Sequence, residues 1–99
     1  MSGRPSSTPA CRRFIVAGRV QGVAYRAWTC DQADRLRLAG WVRNLRDGCV
    51  EVVARGDSEA IERLLVALND GPAAARVTSV DEAPIESAPD DSIRTFDIR

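Results

Sequence analysis

Apolar and polar residues alternate along this chain with two periods, one typical of strands and the other of helices. The run RRFIVA at 12–17 is rich in β-branched and aromatic residues and ends at Gly18, which predicts a first strand followed by a turn. Between residues 25 and 36, apolar or small side chains recur at spacings of three and four, which predicts a first helix. The same spacing at 61–68, preceded by the N-cap residue Asp57 and followed by an Asn-Asp-Gly-Pro stop, predicts a second helix.

Two strand-like segments lie between the helices, and two more follow the second helix. WVRNL at 41–45 and CVEVVAR at 49–55 flank an Asp-Gly pair, which predicts an antiparallel hairpin. Residues 75–84 and 94–99 are further extended segments. The order β-α-β-β-α-β predicts an α+β fold, the ferredoxin-like two-layer sandwich, with both helices on one face of an antiparallel sheet.

The length of 99 residues suffices for one hydrophobic core and therefore one domain. Residues 1–10 are polar and rich in Pro and Ser, so we expect a disordered N-terminal tail and a folded domain at 11–99. No apolar run is long enough to span a bilayer, and no membrane partner is expected. The cysteines are odd in number and lack metal-binding spacing, which favours a reducing cytoplasm over a disulfide framework. They are Cys11, Cys30 and Cys49.

The charged residues exclude several classes of chemistry. The chain has no histidine and no lysine, which removes histidine general catalysis, histidine-bound zinc, lysine Schiff bases and the lysine of a P-loop. Its 14 basic residues, all arginines, are balanced by 14 acidic ones, so the net charge does not attract nucleic acid or anionic membranes. Any anion site must therefore be local.

Single-stranded RNA binding is a further alternative, because many RNA-recognition domains share this topology. Such domains stack bases on aromatic side chains of the central strands, where this chain offers little beyond Phe14. Tyr25, Trp28 and Trp41 are interpreted as packing residues. We expect no nucleic-acid partner.

The segment GRVQGVAYR at 18–26 joins the end of the first strand directly to the start of the first helix. Successive backbone N–H groups in a glycine-permitted turn form an anion-binding concavity, and the positive end of the helix adds to it. Arg26 would close over a bound phosphate with a planar, permanently charged guanidinium. A turn with two glycines more often binds nothing, so this segment alone does not decide the function.

A second cluster, GWVRNLRDG at 40–48, changes that balance because it places Asn44 near the hairpin, close to the first loop. An asparagine side chain can orient a water molecule without deprotonating it, and phosphoryl transfer depends mainly on positioning and on charge stabilisation. With no histidine to protonate the leaving group, the site suits a substrate whose leaving group departs as an anion. The carboxylate of an acyl phosphate does so, whereas an alkoxide needs a proton or a metal.

These two clusters resemble the motifs of the acylphosphatases, small enzymes of ferredoxin-like fold. The resemblance extends over essentially the whole chain after the tail. It includes G-R-V-Q-G-V-A-Y-R at 18–26, G-W-V-R-N-L-R-D-G-C-V at 40–50, Thr29, Ala33 and Leu36 of the first helix, Gly71-Pro72, Ala75-Arg76-Val77 and Phe96-Asp97-Ile98.

The resemblance implies hydrolysis of the carboxyl–phosphate bond of acyl phosphates, without a metal or an organic cofactor. It implies that Arg26 binds the phosphoryl oxygens and that Asn44 orients the attacking water. It also implies that backbone amides cradle the phosphate, namely those of Arg19, Val20, Gln21, Gly22, Val23, Ala24 and Tyr25. Inorganic phosphate or sulfate is expected to compete, and a monomer is expected.

Two positions depart from the family pattern. Arg37 stands where a glycine is expected to end the first helix, and a residue other than glycine in a left-handed cap costs about 1 kcal/mol. Ala24 is smaller than the aromatic residue often found at its position. An alternative interpretation is a non-catalytic module that binds anions or handles carbamoyl phosphate, because similar domains occur within larger hydrogenase-maturation proteins.

Overall fold

The computed structural model describes residues 8–90 and 92–99. Two helices pack on a five-stranded sheet whose strand order is β4-β1-β3-β2-β5. The helices are α1 (Tyr25–Arg35) and α2 (Ser58–Asp70). The strands are β1 (Pro9–Arg19), β2 (Ala39–Asn44), β3 (Val50–Asp57), β4 (Arg76–Ala83) and β5 (Phe96–Ile98).

The predicted ferredoxin-like arrangement is confirmed, with one addition at the edge of the sheet. β4, β1, β3 and β2 pair antiparallel in that order, but β5 pairs parallel with β2, so that the five-stranded sheet is mixed. The segment between β4 and β5 crosses the face of the sheet that no helix covers. β5 therefore lies at the edge of the sheet opposite to β4 and runs parallel to β2.

The core lies between the helices and one face of the sheet. Because side chains alternate along a strand, every second residue of β1 and β3 faces the helices. Phe14 and Val16 of β1 are fully buried there, and the stripe of α2 that was read from the sequence packs onto them. The buried residues of that stripe are Ile61, Leu64 and Leu68.

β1 is longer than the predicted run at 12–17. Pro9 and Ala10 already pair with Asp57 and Gly56 of β3, and β1 continues to Arg19. Pairing with β3 thus extends β1 into residues 9 and 10, whose composition alone suggested a disordered tail. The first seven residues of the predicted tail at 1–10 lie outside the described part of the chain.

Helix α1 ends in a Schellman motif with an arginine at the left-handed position. The Arg37 amide donates to the Asp34 carbonyl and the Leu38 amide to the Ala33 carbonyl, each at 3.0 Å. Arg37 has φ 59°, a conformation that favours glycine. Arg37 therefore has the left-handed conformation that is expected where the family pattern has a glycine.

A buried carboxylate organises the helix-free face of the sheet. Glu51 is 3% exposed and accepts hydrogen bonds from Arg43 Nε at 2.6 Å, Arg13 Nε at 2.7 Å and Trp41 Nε1 at 3.3 Å. Burial alone raises the pKa of Glu51, but these hydrogen bonds outweigh it and leave the pKa below its ordinary value. Arg55 on the same face donates to backbone carbonyls of the crossing segment, at Pro89, Asp90 and Ile93.

Neither helix in the described residues is long and apolar enough to cross a membrane.

Candidate active site

The two sequence clusters meet at one edge of the sheet. Val50 of β3 pairs with Val16 of β1 on one side and with Asn44 of β2 on the other. Since β1 and β2 are both antiparallel to β3, they run in the same direction, and their C-terminal ends lie at the same end of the sheet. Neighbouring strands lie about 5 Å apart, so the loop after β1 and the turn after β2 leave the sheet roughly 10 Å from each other.

Positive φ angles shape the loop that follows β1. Gly18 has φ 124° at a β-bulge, and a side chain there would place its Cβ 2.1 Å from the Arg76 carbonyl oxygen. Gly22 has φ 76°, and an added Cβ would meet no atom within 4 Å. Glycine is therefore needed there for its backbone conformation and not to avoid a clash. Ala24, at the N-cap of α1, has φ 62° although it carries a side chain. Such strain in a residue other than glycine is typical of functional loops.

Within the part of the chain that the structure describes, the backbone amides of this loop are unpaired. Those of residues 20 to 27 donate no hydrogen bond to any group in the described ranges 8–90 and 92–99. The side chain of Ala24 cannot cap the helix, so the first-turn amides of α1 are unpaired as well. A run of unpaired N–H groups at the positive end of a helix is suited to bind an anion.

Arg26 lines a cavity of about 160 Å3 beside these amides. Its Nη1 donates a hydrogen bond of 3.5 Å, the long limit, to the main-chain oxygen of Arg99, the last residue of the sequence. Among the described residues, no acidic side chain forms an ion pair with it. Most of its N–H donors are therefore available to a ligand. The other residues that line the cavity are Val20, Gly22, Ala24, Tyr25, Ala27 and Ile98.

Asn44 is the last residue of β2, and its side chain is exposed. Val42, two residues earlier, belongs to the core beneath the helices, and strand alternation directs Asn44 to the same side of the sheet. This is the side on which α1 packs against β2 and β5. Asn44 does not line the cavity of Arg26, and its side chain makes no hydrogen bond to the described residues.

The side chain of Gln21 connects the loop to the hairpin, a role that sequence reasoning missed. Its Nε2 donates to the carbonyl oxygens of Leu45 and Cys49, each at 2.8 Å. From the sequence, Gln21 is expected to contribute only its backbone amide. The available signal was a polar residue in a loop position flanked by Val20 and Gly22, but the partners are backbone groups, which no residue pattern reveals.

Tyr25 and Trp41 are buried in the fold, and Trp28 packs beside Tyr25. Tyr25 is buried, its ring centroid lies 5.6 Å from that of Trp28, and its hydroxyl donates to the Leu68 carbonyl at 2.8 Å. Burial raises the pKa of the Tyr25 hydroxyl, so that it is a poor general acid near neutral pH. Trp41 lies on the other face of the sheet, where the Arg99 guanidinium covers its ring at 4.1 Å.

The three cysteines are free thiols, and burial raises the pKa of each, for Cys30 to about 11. They are therefore uncharged near neutral pH and poor nucleophiles. Within the described ranges, no group of three or more Cys, Asp or Glu side chains is placed to hold a metal ion.

The sequence is similar to proteins of one known family. The family model described as Acylphosphatase matches residues 12–98. An acylphosphatase of Nitrobacter hamburgensis is 43% identical over 83 residues, which cover 84% of each chain. One of Methylococcus capsulatus is 57% identical over 67 residues, covering 68% of this chain and 73% of the other.

The fold agrees as well. The crystal structure of acylphosphatase from Bacillus subtilis superposes with a TM-score of 0.81 at 35% identity, covering 93% of this chain and 99% of the other. The chain therefore belongs to the acylphosphatase family and hydrolyses acyl phosphates.

Proposed function

We propose that the protein hydrolyses acyl phosphates by direct attack of water on phosphorus. The backbone amides of residues 19–25 and the guanidinium of Arg26 hold the phosphoryl oxygens, and the carboxamide of Asn44 orients the water. The observation that supports this most strongly is the run of amides at 20–27, which have no partner among the described residues and lie next to the guanidinium of Arg26.

The chemistry follows from the groups present. The water oxygen forms a bond to phosphorus while the bond from phosphorus to the acyl oxygen breaks, and the acid leaves as a carboxylate. The water protons pass to phosphate oxygens or to solvent, so the side chains need not take up a proton. Fixed N–H donors and the Arg26 charge stabilise the equatorial oxygens of the transition state, which is the main requirement of a loose phosphoryl transfer.

The same cradle would bind other tetrahedral anions. Inorganic phosphate, a product of the reaction, and sulfate are therefore proposed as competitive inhibitors.

We also propose that the enzyme acts as a monomer, because the loop, Arg26 and Asn44 all belong to one chain. A cytoplasmic location is proposed from the three free thiols.

The roles of Asn44 and Arg26 are tested by truncation and steady-state kinetics with benzoyl phosphate. Asn44→Ala should lower kcat by about 100-fold or more, as for loss of a positioning or oxyanion group, while the inhibition constant of inorganic phosphate stays within about three-fold. Arg26→Ala should lower kcat/KM and also weaken phosphate inhibition by at least about ten-fold, because a charge-assisted hydrogen bond to the anion is lost.

Matched controls come from the same residue types outside the site. Asn69, near the end of α2, and Arg63, on the exposed side of α2, should tolerate alanine with little change in either constant. An Asn44→Ala enzyme with wild-type kcat would overturn the proposed mechanism.

A further inference from the structure

We infer that Gln21 is a positioning residue that holds the phosphate loop in register with the strand end that presents Asn44. This inference rests on the proposed roles of that loop and of Asn44. Both protons of the Gln21 side-chain amide are used, one on the Leu45 carbonyl and one on the Cys49 carbonyl, at 2.8 Å each.

The orientation of this carboxamide is fixed by chemistry. Both partners are backbone carbonyl oxygens, which only accept hydrogen bonds, so the nitrogen of Gln21 and not its oxygen must face them. A side chain with two donors at this length is therefore required, and a residue of similar shape without donors cannot replace it.

The two carbonyls belong to the closure of the hairpin turn. The Leu45 amide donates to the Cys49 carbonyl at 2.8 Å, and the Gly48 amide donates to the Leu45 carbonyl at 3.2 Å. Gln21 thus contacts both ends of the turn at once. Each contacted residue is the direct neighbour of the Asn44–Val50 pair, in which Asn44 ends β2 and Val50 begins β3.

These are the only hydrogen bonds in the described ranges that join loop residues 20–24 to turn residues 45–49. Without them, no hydrogen bond in the described ranges would hold the loop to the turn. An attacking water held by Asn44 must lie in line with a phosphate held by the loop, and a misplacement of about 1 Å can cost about 100-fold in rate. Gln21 therefore sets the distance between the phosphate bound by the loop and the water oriented by Asn44.

The test compares Gln21→Met, which keeps length but removes both donors, with Gln32→Met at the other glutamine of the sequence, on α1. Gln21→Met should lower kcat for benzoyl phosphate by roughly 10- to 100-fold, while the inhibition constant of inorganic phosphate changes by less than about three-fold. Gln32→Met should leave both unchanged. Circular dichroism and thermal melting establish that each variant is folded at the assay temperature.

Gln21→Glu adds a readout that a purely structural role would not move. Its carboxylate faces two carbonyl oxygens and cannot donate, whereas its protonated form donates once. The ratio of variant to wild-type kcat should therefore rise as the pH falls through the titration of the new glutamate. This variant also serves if Gln21→Met does not fold.

The outcomes separate the inference from the proposed mechanism. If Asn44→Ala is inactive but folded Gln21→Met retains wild-type kcat, or if the Gln21→Glu ratio does not change with pH, the positioning role is wrong and the mechanism stands. If Asn44→Ala is fully active, the mechanism fails, and the role assigned to Gln21 fails with it. Loss of kcat together with an equal loss of phosphate affinity in Gln21→Met would show that the residue only maintains the cradle, which also contradicts the inference.

Discussion

The Tyr25 hydroxyl donates a hydrogen bond of 2.8 Å to the carbonyl oxygen of Leu68. This bond joins the first residue of α1 to the last turn of α2, where the Leu68 carbonyl lacks its usual helical donor because Pro72, four residues on, has no N–H. Tyr25 directly precedes Arg26, and its own amide belongs to the unpaired run of the loop. The start of α1, which presents Arg26, is thus anchored to the other helix through the core.

Removal of this hydroxyl should destabilise the protein. Tyr25→Phe keeps the buried ring but leaves the Leu68 carbonyl without a partner, so the free energy of unfolding should fall by about 1–2 kcal/mol. Urea denaturation followed by circular dichroism measures the change. A Tyr25→Phe protein as stable as the wild type would mean that water or a neighbouring group satisfies the carbonyl.

The left-handed residue at the end of α1 should be a site of stabilisation. Arg37→Gly relieves the cost of a side chain at φ 59°, and the free energy of unfolding should rise by about 1 kcal/mol. The control is Arg35→Gly in the last helical turn, where glycine should cost about 1 kcal/mol. If both substitutions shift the unfolding midpoint in the same direction, the strain assigned to Arg37 is wrong.

The buried carboxylate on the helix-free face should make stability depend on acid pH. The folded-state pKa of Glu51 lies below its unfolded value, so the stabilisation is complete above the unfolded pKa of about 4.3. It is lost as the pH falls through the lower, folded-state pKa. At neutral pH, Glu51→Gln should lower the free energy of unfolding by about 1–3 kcal/mol, because Arg13 and Arg43 lose a charged partner that is buried.

Below the unfolded pKa of about 4.3 the difference between wild type and Glu51→Gln should shrink, because proton uptake then favours the unfolded wild-type chain, and it should vanish once the pH has fallen through the folded-state pKa. Denaturant unfolding of both proteins at neutral and acid pH measures it. Glu59→Gln, at an exposed position in the first turn of α2, is the control and should change the free energy of unfolding by less than about 0.5 kcal/mol at neutral pH. A Glu51→Gln deficit that is constant with pH would show that the charge of Glu51 does not matter.

Local sequence patterns predicted the elements of the fold well, because burial against one layer imposes the periods of 2 and 3.6. The stripe of Ile61, Leu64 and Leu68 and the hairpin at Asp47-Gly48 are local signals of this kind. The family resemblance additionally indicated the left-handed conformation of Arg37, which the structure confirms.

Features that depend on distant partners were not predictable in the same way. The parallel pairing of β5 with β2 depends on the path of the segment that crosses the sheet, and that path leaves no periodic pattern. The burial of Glu51 follows from arginines brought together by strand pairing, Arg13 from β1 and Arg43 from β2. The bonds of Gln21 end on backbone carbonyls, whose positions only the folded chain defines.

The central claim is that backbone amides of the loop after β1 bind the phosphoryl group. The most direct measurement is a titration of 15N-labelled protein with inorganic phosphate, followed by amide chemical shifts at constant ionic strength and pH. We expect saturable shifts concentrated in residues 19–27, with the same affinity as the competitive inhibition of acyl phosphate hydrolysis. Shifts that are absent from this segment at phosphate concentrations that inhibit the enzyme, or that are concentrated elsewhere on the protein, would contradict it.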